Sequence, residues 1–178
     1  MGLLNDARTI LSKDPAARSL LEVMLLYPGF HALVYHRAAH WLYRHHRFFL
    51  ARMVSQHGRH RTGIEIHPGA QIGHGLFIDH GMGIVIGETA VIGDNCTIYH
   101  QTTLGGTGKD VGKRHPTIGD NVTIYSGTSV LGGETVIGEN VTIGGNTFIV
   151  RSIPADMKVN ARPPELEYSI GPKKDKKQ

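Results

Sequence analysis

The sequence predicts an α+β chain, with a short α-helical N-terminal region followed by a β-solenoid of hexapeptide repeats. The main observation is an apolar residue at every sixth position, a period that fits neither a half-buried strand nor a helix. The repeat slips by two residues at Ile86 and by one residue at Ile137, and the loop at 105–115 interrupts it. A helical spacing of apolar residues precedes the repeats, and the 23 glycines suit a fold with frequent turns. The apolar ladder comprises Ile66, Ile72, Ile78, Ile84, Ile86, Ile92, Ile98, Leu104, Ile118, Ile124, Val130, Ile137, Ile143 and Ile149.

Residues 1–62 are predicted to be helical. Asp14 followed by Pro15 is typical of a helix N-cap with proline at the first helical position, and that helix should end at Pro28. A second helical run, with apolar residues at helical spacing, is predicted from Phe30 to about His57.

Seven of the twelve histidines lie between His31 and His60. His36 and His40 are four residues apart, a spacing that can place two metal ligands on one helix face. Since no cysteine or nearby acidic residue completes such a site, we favour a solvated or inter-subunit helix face.

Residues 63–153 form the predicted solenoid, with a loop insertion at 105–115, and residues 154–178 form a predicted C-terminal cap and flexible tail. Three hexapeptides make about one turn of a triangular prism, so residues roughly 18 apart should stack. The third position of every third hexapeptide should therefore form one column on the outside of the prism. This column has two interpretations: reactive residues above a shallow groove, or a row of solvated turn positions. The column is His80, His100, Ser126 and Gly145.

Composition narrows the class of protein. A net charge of +4 without an aromatic and basic motif argues against nucleic-acid binding. The single cysteine, Cys96, occupies a small-residue place in its hexapeptide and suits core packing in a reducing cytoplasm. No signal peptide is evident, and the apolar run at 20–26 is too short to span a bilayer.

Several segments together resemble one family. They are Glu65-Ile66-His67-Pro68-Gly69-Ala70, Ile78-Asp79-His80-Gly81-Met82-Gly83, Ile86-Gly87-Glu88-Thr89, Thr103-Leu104-Gly105-Gly106-Thr107-Gly108-Lys109 and Lys113-Arg114-His115-Pro116. With Lys13-Asp14-Pro15-Ala16 and Gly29-Phe30-His31-Ala32-Leu33, they resemble serine O-acetyltransferase, a hexapeptide-repeat acyltransferase. The resemblance spans roughly residues 8–153 and implies a left-handed parallel β-helix behind the α-helical region.

The resemblance implies transfer of an acetyl group from acetyl-CoA to the hydroxyl of L-serine, giving O-acetylserine for cysteine biosynthesis. His80 is then the general base, a role that suits an imidazole near neutral pH. Glu65 stands where the family commonly has an aspartate that orients this histidine. His115 is expected to hydrogen-bond the substrate or its developing oxyanion.

The remaining site residues are also implied by the resemblance. Serine presents an ammonium and a carboxylate, which acids and a bidentate arginine can bind. Lys109 and Lys113 are expected to be solvated loop residues. The implied serine-binding residues are Asp14, Asp79 and Arg114, and the implied acetyl-CoA contacts are Gly105, Gly106, Thr107, Ser126 and Gly145.

Acetyl-CoA is expected as co-substrate, without a metal. The implied partners are L-serine, L-cysteine as feedback inhibitor, and further copies of the chain in a homotrimer or a dimer of trimers. The chain ends in Lys176-Lys177-Gln178 where many members end in isoleucine, so a complex with cysteine synthase stays open. The alternatives are another hexapeptide acetyltransferase with a sugar or amine acceptor, a metal-dependent β-helix hydratase and a non-enzymatic scaffold.

Overall fold

The structure, a computed structural model, describes residues 3–108 and 111–161. Its N-terminal part is helical, and the remainder is a β-helix of short parallel strands, as the sequence predicts. Within the described residues, no helix has both the length and the apolar character required to cross a membrane. The described helices are α1 (Leu3–Lys13), α2 (Leu20–Leu26), α3 (Pro28–Arg44) and α4 (Phe48–Thr62).

The prediction that Asp14 caps a helix beginning at Pro15 is wrong. The next helix, α2, begins only at Leu20, where the Ser19 hydroxyl accepts a hydrogen bond from the backbone N–H of Glu22 at 3.2 Å. The Glu22 carboxylate in turn accepts a backbone N–H just ahead of the helix. This reciprocal cap decides where α2 starts and leaves Asp14 in a turn, where its carboxylate can serve another purpose.

The helical run predicted from Phe30 to about His57 is two helices. It breaks between Arg44 and Phe48, where His46 adopts a left-handed φ of 58°. A left-handed residue ends a right-handed helix because the next residues leave its axis. The break allows α4 to pack extensively along α3.

The β-helix consists of three parallel sheets, each forming one side of a triangular prism. Sheet A has the order β1-β4-β7-β10-β13, sheet B the order β11-β8-β5-β2, and sheet C the order β14-β12-β9-β6-β3. The strands are β1 (Glu65–Ile66), β2 (Gln71–Ile72), β3 (Phe77–Asp79), β4 (Val85–Ile86), β5 (Val91–Ile92), β6 (Thr97–Tyr99), β7 (Thr103–Gly105), β8 (Thr117–Ile118), β9 (Thr123–Ile124), β10 (Ser129–Leu131), β11 (Val136–Ile137), β12 (Thr142–Ile143), β13 (Phe148–Ile149) and β14 (Lys158–Val159).

The apolar ladder forms the core of the prism, as predicted. Ile66 stands opposite Ile86, and Ile86 stands opposite Leu104, so ladder residues stack from coil to coil. All ladder residues are buried except Ile72, which is partly buried. The two-residue slip in the repeat falls in the turn 80–84, where His80, like the glycines that follow, has a positive φ.

The solenoid extends past its predicted end at residue 153. Lys158 and Val159 form a strand that pairs with β12 and continues sheet C within the predicted cap. The predicted tail from residue 162 onward, together with Lys109 and Asp110 of the loop, lies outside the described residues.

Cys96 is fully buried in the core, as predicted. Its Sγ lies 3.1 Å from the Gly119 carbonyl oxygen, and burial raises the pKa of the thiol to about 11.

The start of α3 rests directly on β3, because a Cβ on Gly29 would lie 2.5 Å from the carbonyl oxygen of Ile78. The strand that leads into Asp79 and His80 is therefore held in place by the helical region.

Candidate active site

The predicted column of third hexapeptide places exists. The register of sheet C sets Asp79 beside Tyr99 and continues through β9 and β12, so the turns that follow these strands stack. These turns lie at one edge of the prism, between sheets C and A, which we call the C/A edge. Successive coils place His80, His100, Ser126 and Gly145 along this edge.

His80 heads the column with its side chain three-quarters exposed. Its Nε2 lies 3.8 Å from Oδ1 of Asp79, and its ring meets the His100 ring edge-on with centroids 5.7 Å apart. The left-handed φ of 57° turns the histidine out of the strand direction. The imidazole therefore projects into solvent beside a carboxylate, where it can take a proton from a bound ligand.

Asp14 lies near the same edge. Its Oδ2 accepts a hydrogen bond from the Tyr27 hydroxyl at 2.8 Å, while its Oδ1 accepts the Ala16 backbone N–H. Burial, this hydrogen bond and the charges of Asp14, Glu22 and Asp79 together raise the pKa of Tyr27 to about 12. Both Asp14 and Asp79 act electrostatically on Tyr27, so the two carboxylates share one small region.

Glu65 is engaged elsewhere in this conformation. Its Oε2 accepts from Nε of Arg59 at 3.2 Å, and the carboxylate that lies within 4 Å of the His80 ring is that of Asp79. Orientation of His80 by Glu65 stays a prediction.

Arg114 and His115 lie at a different edge, between sheets A and B, which we call the A/B edge. The Arg114 guanidinium pairs with Oε2 of Glu88, whose Oε1 accepts from the Tyr43 hydroxyl at 2.9 Å. The Tyr43 hydrogen bond is the largest influence on the pKa of Glu88 and lowers it, and the Arg114 guanidinium lowers it further against the opposing effect of burial. A carboxylate kept ionised in this way holds the arginine in position.

The protonation of His115 follows from its partners. The Thr89 backbone N–H donates to Nδ1 of His115 at 3.1 Å, and the Thr89 hydroxyl lies 2.9 Å from the same nitrogen. That hydroxyl also accepts the backbone N–H groups of Arg114 and His115, so its own proton points to Nδ1. Nδ1 is thus an acceptor, and Nε2 carries the proton. Burial and the Arg114 charge lower the pKa of His115, which keeps the ring neutral.

The glycine-rich loop leaves the prism at the A/B edge. Gly105 ends β7, and a Cβ on Gly106 would lie 3.1 Å from the Arg114 carbonyl oxygen. Thr107 is exposed. Lys113 is exposed, as predicted, although its Nζ donates to the carbonyl oxygen of Thr89 at 2.6 Å and partial burial lowers its pKa. Gly105, Gly106 and Thr107 therefore lie beside Arg114, away from Ser126 and Gly145.

One chain does not bring the two edges together. The C/A edge, with Asp14, Asp79 and His80, is separated from the A/B edge, with Arg114 and His115, by the full width of sheet A. Each side of the prism is one hexapeptide wide, which corresponds to roughly 15–20 Å of extended chain. The predicted serine pocket is divided into two halves on each chain.

Three supporting residues were not found from the sequence: Tyr27, Tyr43 and Thr89. Tyr27 and Tyr43 lie on or beside helices, 13 and 45 residues from their carboxylate partners, and Thr89 lies 26 residues from His115. No short-range pattern links such pairs, since only the folded coils bring them into contact.

His36 and His40, the two histidines four residues apart on α3, have different surroundings. His36 is buried, and Nδ1 of His40 hydrogen-bonds the Pro68 carbonyl at 2.8 Å, so the expectation of a solvated face is also wrong for His36. Among the described residues, no group of three or more histidine, cysteine or acidic side chains could hold a metal ion. Three histidines of the β-helix, which a hydratase would need as metal ligands, lie at separate edges of one chain, with His74 apart from both His80 and His115.

A β-helix of hexapeptide repeats, with an exposed histidine at the head of a small-residue column and a glycine-rich loop at its edge, defines a hexapeptide-repeat acyltransferase. No family model matches the chain. Curated relatives do match the chain. They include the serine acetyltransferase of Synechococcus elongatus, which is 53% identical over 173 residues, covering 97% of this chain and 70% of the relative. They also include that of Helicobacter pylori, which is 57% identical over 145 residues, covering 82% of this chain and 84% of the relative.

Solved structures agree. Serine acetyltransferase isoform 3 of Entamoeba histolytica in complex with cysteine matches with a TM-score of 0.89 and 42% identity, covering 95% of this chain and 60% of that one. The soybean enzyme complexed with serine has a TM-score of 0.86 and 41% identity, covering 90% and 66%. The Brucella abortus enzyme with coenzyme A has a TM-score of 0.87 and 39% identity, covering 90% and 64%.

The chain belongs to the serine acetyltransferase family. The resemblance identified from the sequence, the left-handed β-helix and the acyltransferase class are thereby confirmed. The chain spans about 60 to 66% of the length of these three solved chains.

Proposed function

We propose that this chain transfers the acetyl group of acetyl-CoA to the hydroxyl of L-serine in the cytoplasm, giving O-acetylserine for cysteine biosynthesis. The observation that carries the proposal is the position of His80, exposed beside Asp79 at the head of the column that ends in Ser126 and Gly145. The names of the curated relatives support the acceptor, and the solved relatives bound to serine and coenzyme A support both substrates.

His80 acts as the general base. Its ring accepts the proton of the serine hydroxyl as the oxygen attacks the thioester carbonyl, and it then passes that proton to the departing thiolate. Such proton transfer is typically worth ~10²–10⁴-fold in rate. Glu65 is proposed to stabilise the imidazolium.

Serine is bound by charges of opposite sign at its two ends. Asp14 and Asp79 lie together beside His80 and suit the ammonium group, whereas Arg114 suits the carboxylate. Because these groups occupy opposite edges of one prism, the pocket is complete only where the C/A edge of one copy meets the A/B edge of another. We therefore propose a closed homotrimer, alone or paired as a dimer of trimers.

His115 supplies a hydrogen bond from its Nε2–H. With Nδ1 occupied by two donations from Thr89, the ring is a fixed, neutral donor rather than a base. A preorganised donor near a developing oxyanion is worth ~10²–10³-fold. His115 thus donates a hydrogen bond, whereas His80 accepts the proton.

Acetyl-CoA lies along the column below His80. Ser126 and Gly145 present a shallow surface with accessible backbone, while Gly105, Gly106 and Thr107 of a neighbouring copy line the opposite wall. The acetyl group passes directly to serine without an acyl-enzyme, since the buried Cys96 thiol has a pKa of about 11. L-cysteine is proposed to occupy the serine pocket as a feedback inhibitor, supported by the cysteine-bound relative.

The test measures free thiol released from acetyl-CoA with serine, homoserine, a hexosamine and a simple amine as acceptors. We expect serine to be the best acceptor and His80→Ala to lower kcat at least about 10²-fold. His74→Ala is the matched control, because His74 is also exposed but lies at the edge between sheets B and C. A hexosamine preferred over serine, or a fully active His80→Ala variant, would refute the proposal.

A further inference from the structure

A cavity of about 550 Å³ lies between α3 and strand β2 of sheet B, and none of the residues proposed for acetyl transfer lines it. One face of α3 supplies most of its wall at spacings of three and four residues, including Leu33, Arg37, Trp41 and Arg44, while Ile72 closes the other side. A cavity of this size accommodates a small metabolite. Nothing in the proposed acetyl transfer uses it.

The wall carries a surplus of positive charge. Arg37 and Arg44 both line the cavity, and no carboxylate is among the described residues that do. Arg37 is partly neutralised by the buried Asp6, which its Nη2 contacts at 2.5 Å, but its Nε is buried without a hydrogen-bond partner. No ion pair within 4 Å is found for Arg44 in the described part of the chain.

The buried His36 of the wall lies in the same positive field, although burial is the larger influence on it. Burial, and after it the charges of His40, Arg37 and His67, lower the pKa of His36 to about 3. An anion in the cavity would offset this field. The unsatisfied charge therefore favours a negatively charged occupant over a neutral or cationic one.

The wall also offers a flat apolar surface. The Trp41 side chain is 60% exposed, and its ring lies against that of His45 with centroids 4.4 Å apart. An exposed indole beside apolar Leu33 and Ile72 suits a planar ligand that stacks on it. Arg37 and Arg44, each about one helical turn from Trp41, can then bind one acidic group together.

We propose that this cavity is a binding site for a small organic anion with a planar aromatic or unsaturated body, whose carboxylate or phosphate group is bound by Arg37 and Arg44. The planar part lies on Trp41. The site is separate from the acetyl-transfer site and binds its ligand whether or not acetyl-CoA is present.

Binding is measured on the full chain by the fluorescence of Trp41, which is the only tryptophan, and by calorimetry. The probes are phenyl phosphate, benzoate, inorganic phosphate and neutral benzyl alcohol. We expect a saturable signal at one site per chain for the aromatic anions and weaker binding of the other two. Whichever of phenyl phosphate and benzoate binds with the higher affinity identifies the preferred acidic group.

Arg44→Gln should weaken phenyl phosphate about tenfold, as expected for loss of a charge-assisted hydrogen bond. Arg61→Gln, on exposed α4 surface outside the cavity, is the matched control and should bind as the unmodified chain does. Both variants should keep the helical circular dichroism and the transferase rate. Four results would overturn the site: no saturable binding, equal binding of benzyl alcohol, equal loss in the two arginine variants, or displacement of the probe by acetyl-CoA.

Discussion

The backbone N–H of Thr89 donates a hydrogen bond to Nδ1 of His115 at 3.1 Å, across 26 residues of sequence. The Thr89 hydroxyl reinforces it at 2.9 Å and also accepts the backbone N–H groups of Arg114 and His115. Thr89 thus fixes the tautomer of His115 and holds the backbone of both Arg114 and His115, two proposed site residues.

Thr89→Val keeps the backbone donor but removes the hydroxyl. We expect kcat/KM for serine to fall about tenfold, as for loss of a partner that orients a site residue, with KM for acetyl-CoA unchanged. Thr89→Ser should restore activity, and Thr142→Val, on an outer strand position, is the matched control. Equal kinetics for Thr89→Val and the unmodified chain would show that the hydroxyl does not position His115.

Tyr43 acts on serine binding through Glu88. Tyr43→Phe removes the hydrogen bond that most lowers the pKa of Glu88, so the Arg114 guanidinium loses part of its anchor. We expect KM for serine to rise about threefold to tenfold, with kcat little changed. Tyr35→Phe, on the same helix, is the control, and a fall in kcat with unchanged KM would contradict a role in positioning Arg114.

Gly145 tests the proposed path of acetyl-CoA. It is exposed, and a Cβ there would lie 3.1 Å from the Ser126 carbonyl oxygen. Side chains of growing size should raise KM for acetyl-CoA in the order Gly145→Ala, then Gly145→Val, with about tenfold for valine if ~1.4 kcal/mol of binding is lost. KM for serine should stay constant. A series in which only the serine KM moves would place acetyl-CoA elsewhere.

Buried histidines make folding stability depend on pH. The folded-state pKa of His36 lies at about 3, below its ordinary value of 6.5, so on acidification the unfolded chain takes up this proton first. The stabilising effect is therefore complete above about pH 6.5 and is lost progressively as the pH falls towards 3. Burial lowers the pKa values of His67 and His115 in the same direction.

Urea unfolding between pH 7 and pH 4 measures this dependence. As the pH is lowered from 7 to 4, we expect the unfolding free energy of the unmodified chain to decrease. The decrease should be smaller in His36→Gln, with each chain compared with its own value at pH 7. His74→Gln, which removes an exposed histidine, should keep the original slope. Parallel slopes in all three chains would mean that His36 does not contribute.

The helical region shows where sequence patterns compete. Asp14 before Pro15 is a good start signal, yet Ser19 and Glu22 form the cap that begins α2, while the Asp14 carboxylate accepts from Tyr27 and from the Ala16 N–H. His46 carries no glycine or proline signal, although it takes the left-handed conformation that separates α3 from α4. Where two helix start or end signals are of similar strength, tertiary packing decides which one is used. A single sequence does not show that packing.

The sequence by itself determined the β-helix and the column headed by His80. A six-residue period with only short slips allows one burial pattern, and stacking in register then follows from the repeat. Only the tertiary structure decided that Asp14 joins His80 while Arg114 and His115 lie across sheet A, that Glu65 pairs with Arg59, and that Thr89 sets the tautomer of His115. These relations join residues far apart in the chain, and their geometry depends on how coils and helices pack.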